Sequence, residues 1–465
     1  MTERKEWTPP CHAACSTCAF STLFPVFTYL LLPAGVIALV KLGEAYLLLF
    51  LGQLLLAIGA VEWSWLAFRI CQRLLLAAKL HEDSLTTFSA DRAAAIQEDP
   101  THLTLQTHTQ HASDEEARRL RALEDQSLRR EVPGDSYINL LNETIRPKSF
   151  AIAPLTDKIC SGRWYLAAFF LATVGAAVSV ALGYAMEYRV FDSSNPTSGW
   201  KMMVGASAEA AFVSIFCGSL APTGADAVVL VVYQACVLAA SMNAYLKLQL
   251  NVIASIAQVD PLFTILAGAI IIILFRVVTS KVVMHSLLLV LCDVLGLVCI
   301  VAPLIAFADL IDQAMSQSFK NQLALFLLVV LAADVGDCLA KYLQLHRPQA
   351  LNCCHRIEFK TEASSYEVEA LAISLTCGAI MIAADWLGMG GADLTIIEVV
   401  VLFCSIALGQ WCRLWMAHVR QMAKVSTSAF YFPEGSRTCG VLDRMTVFLV
   451  AIIVYYPYIK QKYFS

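Results

Sequence analysis

Two segments of the chain carry acids and cations at spacings that suit phosphate chemistry. In "VVLAADVGDCLAKYLQ", Asp334 and Asp337 lie one helical turn apart and Lys341 follows Asp337 by four residues, so all three share a helix face. In "CGVLDRMTVFLVAII", Asp443 and Arg444 stand at the mouth of an apolar run that continues to Tyr458. An Asp or Arg at the centre of a membrane helix costs about 2.5–3.5 kcal/mol, and ionised residues held near a bilayer are more often functional than accidental. Carboxylates with Lys and Arg at a membrane boundary suit a metal-bound polyphosphate. Mg²⁺ takes one or two carboxylates plus phosphate oxygens, and the cations neutralise the remaining charge. Asp443 is then a metal ligand and Arg444 a phosphate clamp. The competing reading is structural: Asp337 and Lys341 form a helix-end ion pair, and Asp443-Arg444 closes the last helix at the interface.

The elements that position these residues are membrane helices. Only 15% of the 465 residues are Asp, Glu, Lys or Arg, and 58% are hydrophobic, against about 25% charged in soluble globular chains. Apolar runs near 21–41, 45–67, 164–187, 202–220, 226–247, 261–278, 284–308, 321–343, 367–387, 395–416 and 445–459 each approach the ~20 residues of a spanning helix. Backbone polar groups find no water in lipid, so each span must be helical. The expected fold is an all-α integral membrane protein, a polytopic bundle of about 10–11 transmembrane helices, with one long extramembrane segment. The run at 202–220 is the weakest, because it carries Glu209. The run at 45–67 is open to extension as one helix to Lys79.

Four regions follow from this pattern: an N-terminal two-helix hairpin over 1–80, a polar segment over 81–163, central membrane helices over 164–320, and a membrane core over 321–465. Within the polar segment, "SDEEARRLRALEDQSLRRE" at 113–131 has Ser113 and Glu116 in capping-box spacing and a Glu115–Arg119 pair. It is expected to be an extramembrane helix, either solvated or laid on a partner. Arg276 and Lys281, then Lys341, Arg347, Arg356 and Lys360, then Arg413, Arg420, Lys424, Arg437 and Arg444 fall in or beside three loops of one face. The positive-inside rule puts that face toward the cytosol. The formal net charge of -4 offers nothing for nucleic acid.

Other residues invite weaker readings. "CHAACSTC" offers Cys11, His12, Cys15 and Cys18 as soft metal ligands or as juxtamembrane thiols open to acylation; plain reduced cysteines are the commoner case. Asn142 begins a glycosylation triplet on the cytosol-like side, where it stays unmodified. Glu209 and Asp226 have no cation nearby in sequence and are read as helix-packing residues. Asp293 is expected to face a neighbouring helix.

The order of these motifs resembles the CDP-diacylglycerol synthases, or phosphatidate cytidylyltransferases, integral membrane enzymes that transfer CMP from CTP to phosphatidate. Their run G-A-D-x-x-A-Y-x-x-G-K is similar to "AADVGDCLAKY" at 332–342, and their K-T-W-E-G to "KTEAS" at 360–364. Their L-G-D and P-G-H-G-G-x-x-D-R-x-D correspond to "ALGQ" at 407–410 and "FPEGSRTCGVLDRMT" at 432–446. "GAVEWSWL" at 59–66 resembles their A-x-x-E-W segment. The resemblance covers the last third of the chain well and the rest loosely. It implies that Asp443 and Asp334 are catalytic, that Asp443 holds Mg²⁺, and that Lys360, Thr361 and Arg444 hold nucleotide phosphates; the helix spacing adds Asp337 as a metal carboxylate and Lys341 as a phosphate contact.

The departures bear on the same residues. The metal-binding aspartate of L-G-D is Gln410, a poor Mg²⁺ ligand. The His-Gly-Gly turn is replaced by "EGSRTCG", and the last aspartate is Thr446. A serine and a Lys-Arg pair have become Leu414 and Ala417-His418. Asp337 or Glu434 is placed to supply a missing charge. Two functions follow from the resemblance: a cytidylyltransferase using CTP, phosphatidate and Mg²⁺, or a catalytically degenerate relative serving as a structural or accessory subunit that grips protein partners through 81–163. Either belongs in the endoplasmic reticulum or the mitochondrial inner membrane. A CTP-dependent lipid kinase is disfavoured by the "GVLDR" ending, and a transporter by the lack of a repeat.

Overall fold

The computed structural model describes residues 47–98, 150–159, 163–191, 198–249, 260–279, 283–312, 317–346, 362–387, 394–422, 431–432 and 439–464. The described chain is all-α apart from one two-residue antiparallel pair, β1 (Tyr431–Phe432) with β2 (Cys439–Gly440). Its helices are α1 (Leu47–Glu98), α2 (Ala153–Ile159), α3 (Trp164–Phe191), α4 (Ser198–Ser219), α5 (Gly224–Gln249), α6 (Pro261–Thr279), α7 (Val283–Gly296), α8 (Ala302–Asp312), α9 (Gln317–His346), α10 (Glu362–Trp386), α11 (Ile396–Met422) and α12 (Val441–Phe464). A π turn, Leu297–Val301, joins α7 to α8, so the two form one span.

Among the described residues, ten helices, with α7 and α8 counted as one, are long and apolar enough to cross a membrane. They coincide with ten of the eleven apolar runs, including the weak one at 202–220; the run at 21–41 lies outside the described residues. The segments 113–131 and "CHAACSTC" lie outside them too. The polytopic integral-membrane class therefore holds. The helix α1 runs past Lys79 to Glu98, through the expected border at 80/81. From Cys71, where its apolar span closes, it continues for about 40 Å at 1.5 Å per residue.

Side-chain contacts fix which ends meet. Near the start of α11, Glu398 accepts a hydrogen bond from Lys462 near the end of α12. At the other end, Gly409 of α11 lies so close to α12 that a Cβ there would meet the Val447 carbonyl at 2.8 Å. The two helices are therefore antiparallel. Phe326 of α9 stacks on Tyr455 with 4.6 Å between ring centroids, and Tyr463 donates to Gln322. Asp309 of α8 accepts from Tyr456 at 2.5 Å. Gly336 of α9 faces α10, where a Cβ would come within 2.9 Å of the Ser374 Cα. Alternation then places the ends of α6, α9 and α11 and the starts of α7, α10 and α12 at one end of the bundle, with Asp443, and the ends of α8 and α10 and the starts of α9 and α11 at the other, with Lys462. Arg276, Arg413 and Arg444, on α6, α11 and α12, fall toward that first end, as expected for cations of one face.

Candidate functional site

Three charge clusters occupy the Asp443 end. In the first, Arg413 of α11 reaches across to α9. Its Nη1 lies 3.4 Å from Asp334 Oδ1 and its Nη2 donates to Asp337 Oδ2. Beside it, Gln410 Nε2 donates to the Ala333 carbonyl at 3.5 Å, which also accepts from Ser374 at 2.6 Å. Asp334 and Asp337 share a face because they are three apart, and Gln410 and Arg413 share a face for the same reason. The expected acid pair is therefore real, but its close partner is Arg413. Lys341 lies on α9 one turn beyond Asp337, and its side chain lies outside what is described.

In the second cluster, Glu62 of α1 caps the start of α12. Its two carboxylate oxygens accept the backbone N–H groups of Val441 at 3.0 Å and Leu442 at 2.7 Å. A helix start leaves four N–H groups without intrahelical partners and carries partial positive charge, so it favours an anion. Here Glu62 is that anion. Asp443 follows in the first turn, buried, and Arg444 is half-buried beside it. Replacing Glu62 with Ala strips a charged cap from two buried donors, with an expected loss of about 2 kcal/mol; thermal unfolding in detergent checks it.

The third cluster is one that reasoning along the sequence did not assemble. Arg276 of α6 bridges Asp226 of α5 and Asp293 of α7, with Nε 2.6 Å from Asp293 Oδ2. Arg276 is 3% exposed. Thr223 donates to the other oxygen of Asp226 at 2.7 Å, and Tyr233 donates to the Asp293 carbonyl. Arg276 and Arg413 were both read as loop cations. Each is instead turned into the bundle, where it neutralises an acid pair. The signal available was Asp293, an acid inside an apolar run, 284–308, that carries no Lys or Arg.

Lys360, Thr361 and Glu434 lie outside the described residues. Glu209 is half-buried midway along α4. Among the described residues, no group of three His, Cys, Asp or Glu is placed to hold a metal ion. The donor set does not fit a divalent cation at the α9 acid pair, because a guanidinium already lies on both carboxylates. No family model, curated protein or solved structure matches the chain.

Proposed function

We propose that the chain is a catalytically degenerate relative of the phosphatidate cytidylyltransferases, acting as a structural or accessory subunit of a membrane assembly. The observation that carries this reading is the contact of Arg413 with both Asp334 and Asp337. A polyphosphate-transfer site needs carboxylates free to take a metal and a positive region free to take phosphate. In this chain an internal arginine neutralises the acid pair, and Glu62 fills the positive end of α12. The departures at Gln410, Thr446 and the His-Gly-Gly turn point the same way. What remains is a polar end on a membrane bundle, with α1 extending beyond its span into the start of the polar segment at 81–163. That arm and segment are the proposed partner-gripping region, on the cytosol-like face of an endoplasmic reticulum or mitochondrial inner membrane.

The test is purified protein in phospholipid with labelled CTP and phosphatidate. The expected result is no CDP-diacylglycerol with or without Mg²⁺. Gln410→Asp alone gains nothing, because Arg413 still holds Asp334 and Asp337. Mg²⁺-dependent turnover that falls by about two to three decades in Asp443→Asn, the scale of losing one electrostatic clamp, would overturn the proposal in favour of an active transferase.

A further inference from the structure

The thiols of Cys71 and Cys292 meet where α1 crosses α7, with 3.8 Å between the sulfurs. They are 221 residues apart in the chain, so the contact is a product of the fold. The two sites differ in access. Cys71 is 1% exposed. Cys292 is partly exposed, on a helix whose flanking Leu291 and Leu295 are exposed within a membrane-length apolar span.

The backbone around Cys292 is held from three sides. The Trp63 indole N–H donates to the Cys292 carbonyl at 3.1 Å, Tyr233 donates to the next carbonyl, and Arg276 holds the Asp293 side chain. Gly296 makes this possible, since a Cβ there would lie 2.5 Å from both the Trp63 Nε1 and the Tyr233 hydroxyl. A disulfide needs a sulfur separation of about 2.0 Å, so closure takes about 1.8 Å of sulfur movement. The pair is thus set in register by contacts that do not involve the thiols themselves.

The geometry points to Cys71 and Cys292 as a redox pair that reacts with an organic hydroperoxide and closes to a disulfide. The apolar flank at Leu291 and Leu295 favours an oxidant of that class over a charged one. In the first step the Cys292 thiolate attacks the outer oxygen of the hydroperoxide. The O–O bond breaks, the alkoxide takes up the proton released when the Cys292 thiol ionised and leaves as the alcohol, and Cys292 becomes a sulfenic acid. In the second step Cys71 sulfur attacks the Cys292 sulfur and expels hydroxide, which takes the Cys71 proton and leaves as water. Two thiols are oxidised, and one hydroperoxide is reduced to one alcohol and one water. The order follows from access, with Cys292 open and Cys71 behind it. The product ties α1, which carries Glu62, to α7, which carries Asp293.

The experiment uses the full chain in phospholipid vesicles, treated with cumene hydroperoxide, then alkylated and digested without reduction for mass spectrometry. The expected result is a peptide pair linked through Cys71 and Cys292 and released by dithiothreitol. In Cys71→Ser, dimedone captures a sulfenic acid on Cys292. The proposal is overturned if Cys71 and Cys292 both remain alkylatable after unfolding, at a dose that oxidises the exposed thiols of Cys299 and Cys404.

Discussion

Arg413→Ala lowers the unfolding free energy by about 3–5 kcal/mol, the scale for stranding a buried charge whose partner is removed. The stranded groups are Asp337, which is buried, and Asp334, whose side chain keeps 17% exposure and recovers part of its solvation. Most of the loss therefore falls on Asp337. Adding Asp337→Asn to the Arg413→Ala background removes the stranded charge and returns part of the stability. A double-mutant cycle in lipid separates the pair term from the two single losses. If the charges were mere surface ion pairs, the cycle would return less than about 1 kcal/mol.

The second large effect is at Arg276. Arg276→Ala leaves Asp226 and Asp293 facing each other among buried side chains, with an expected loss again of about 3–5 kcal/mol. Because the triad joins α5, α6 and α7, the damage extends beyond one helix end. Arg276→Lys is expected to recover less than half of it. A single ammonium cannot reproduce two guanidinium contacts made from different nitrogens. Thermal unfolding of both variants, with membrane insertion confirmed, reads the difference.

The membrane helices were legible because apolar length is a local property. Ten helices lie where apolar runs predict them, down to the run weakened by Glu209. The common end of Arg276, Arg413 and Arg444 was also legible, since alternation of spans follows from counting. The partners in the charge clusters were not. Arg276 and Arg413 stand near the ends of apolar runs, where a loop cation and an inward-turned one look alike in one dimension. Their acids lie 17 and 50, and 76 and 79, residues away. Asp334 and Asp337 were legible as a pair through their spacing, but the cation expected beside Asp337 was a bound metal or Lys341 of the same helix. Glu62 was visible only as part of a family-like segment. Its partners are 379 and 380 residues distant, and nothing in its neighbourhood marks it as a helix cap. The π turn after Gly296 had no sequence signal, since the apolar run passes through it unbroken.

The central claim is that Arg413 serves the α9 acid pair as its cation, in the place a metal would take. The most direct measurement is thermal unfolding of wild type and Arg413→Gln in one lipid, with and without Mg²⁺. A ligand that binds the folded state raises its stability. The account predicts no Mg²⁺ effect on wild type. It predicts a low unfolding temperature for Arg413→Gln that rises on adding Mg²⁺, because two carboxylates have been freed. A wild-type unfolding temperature that rises with Mg²⁺, and loses that rise in Asp337→Asn, would contradict it.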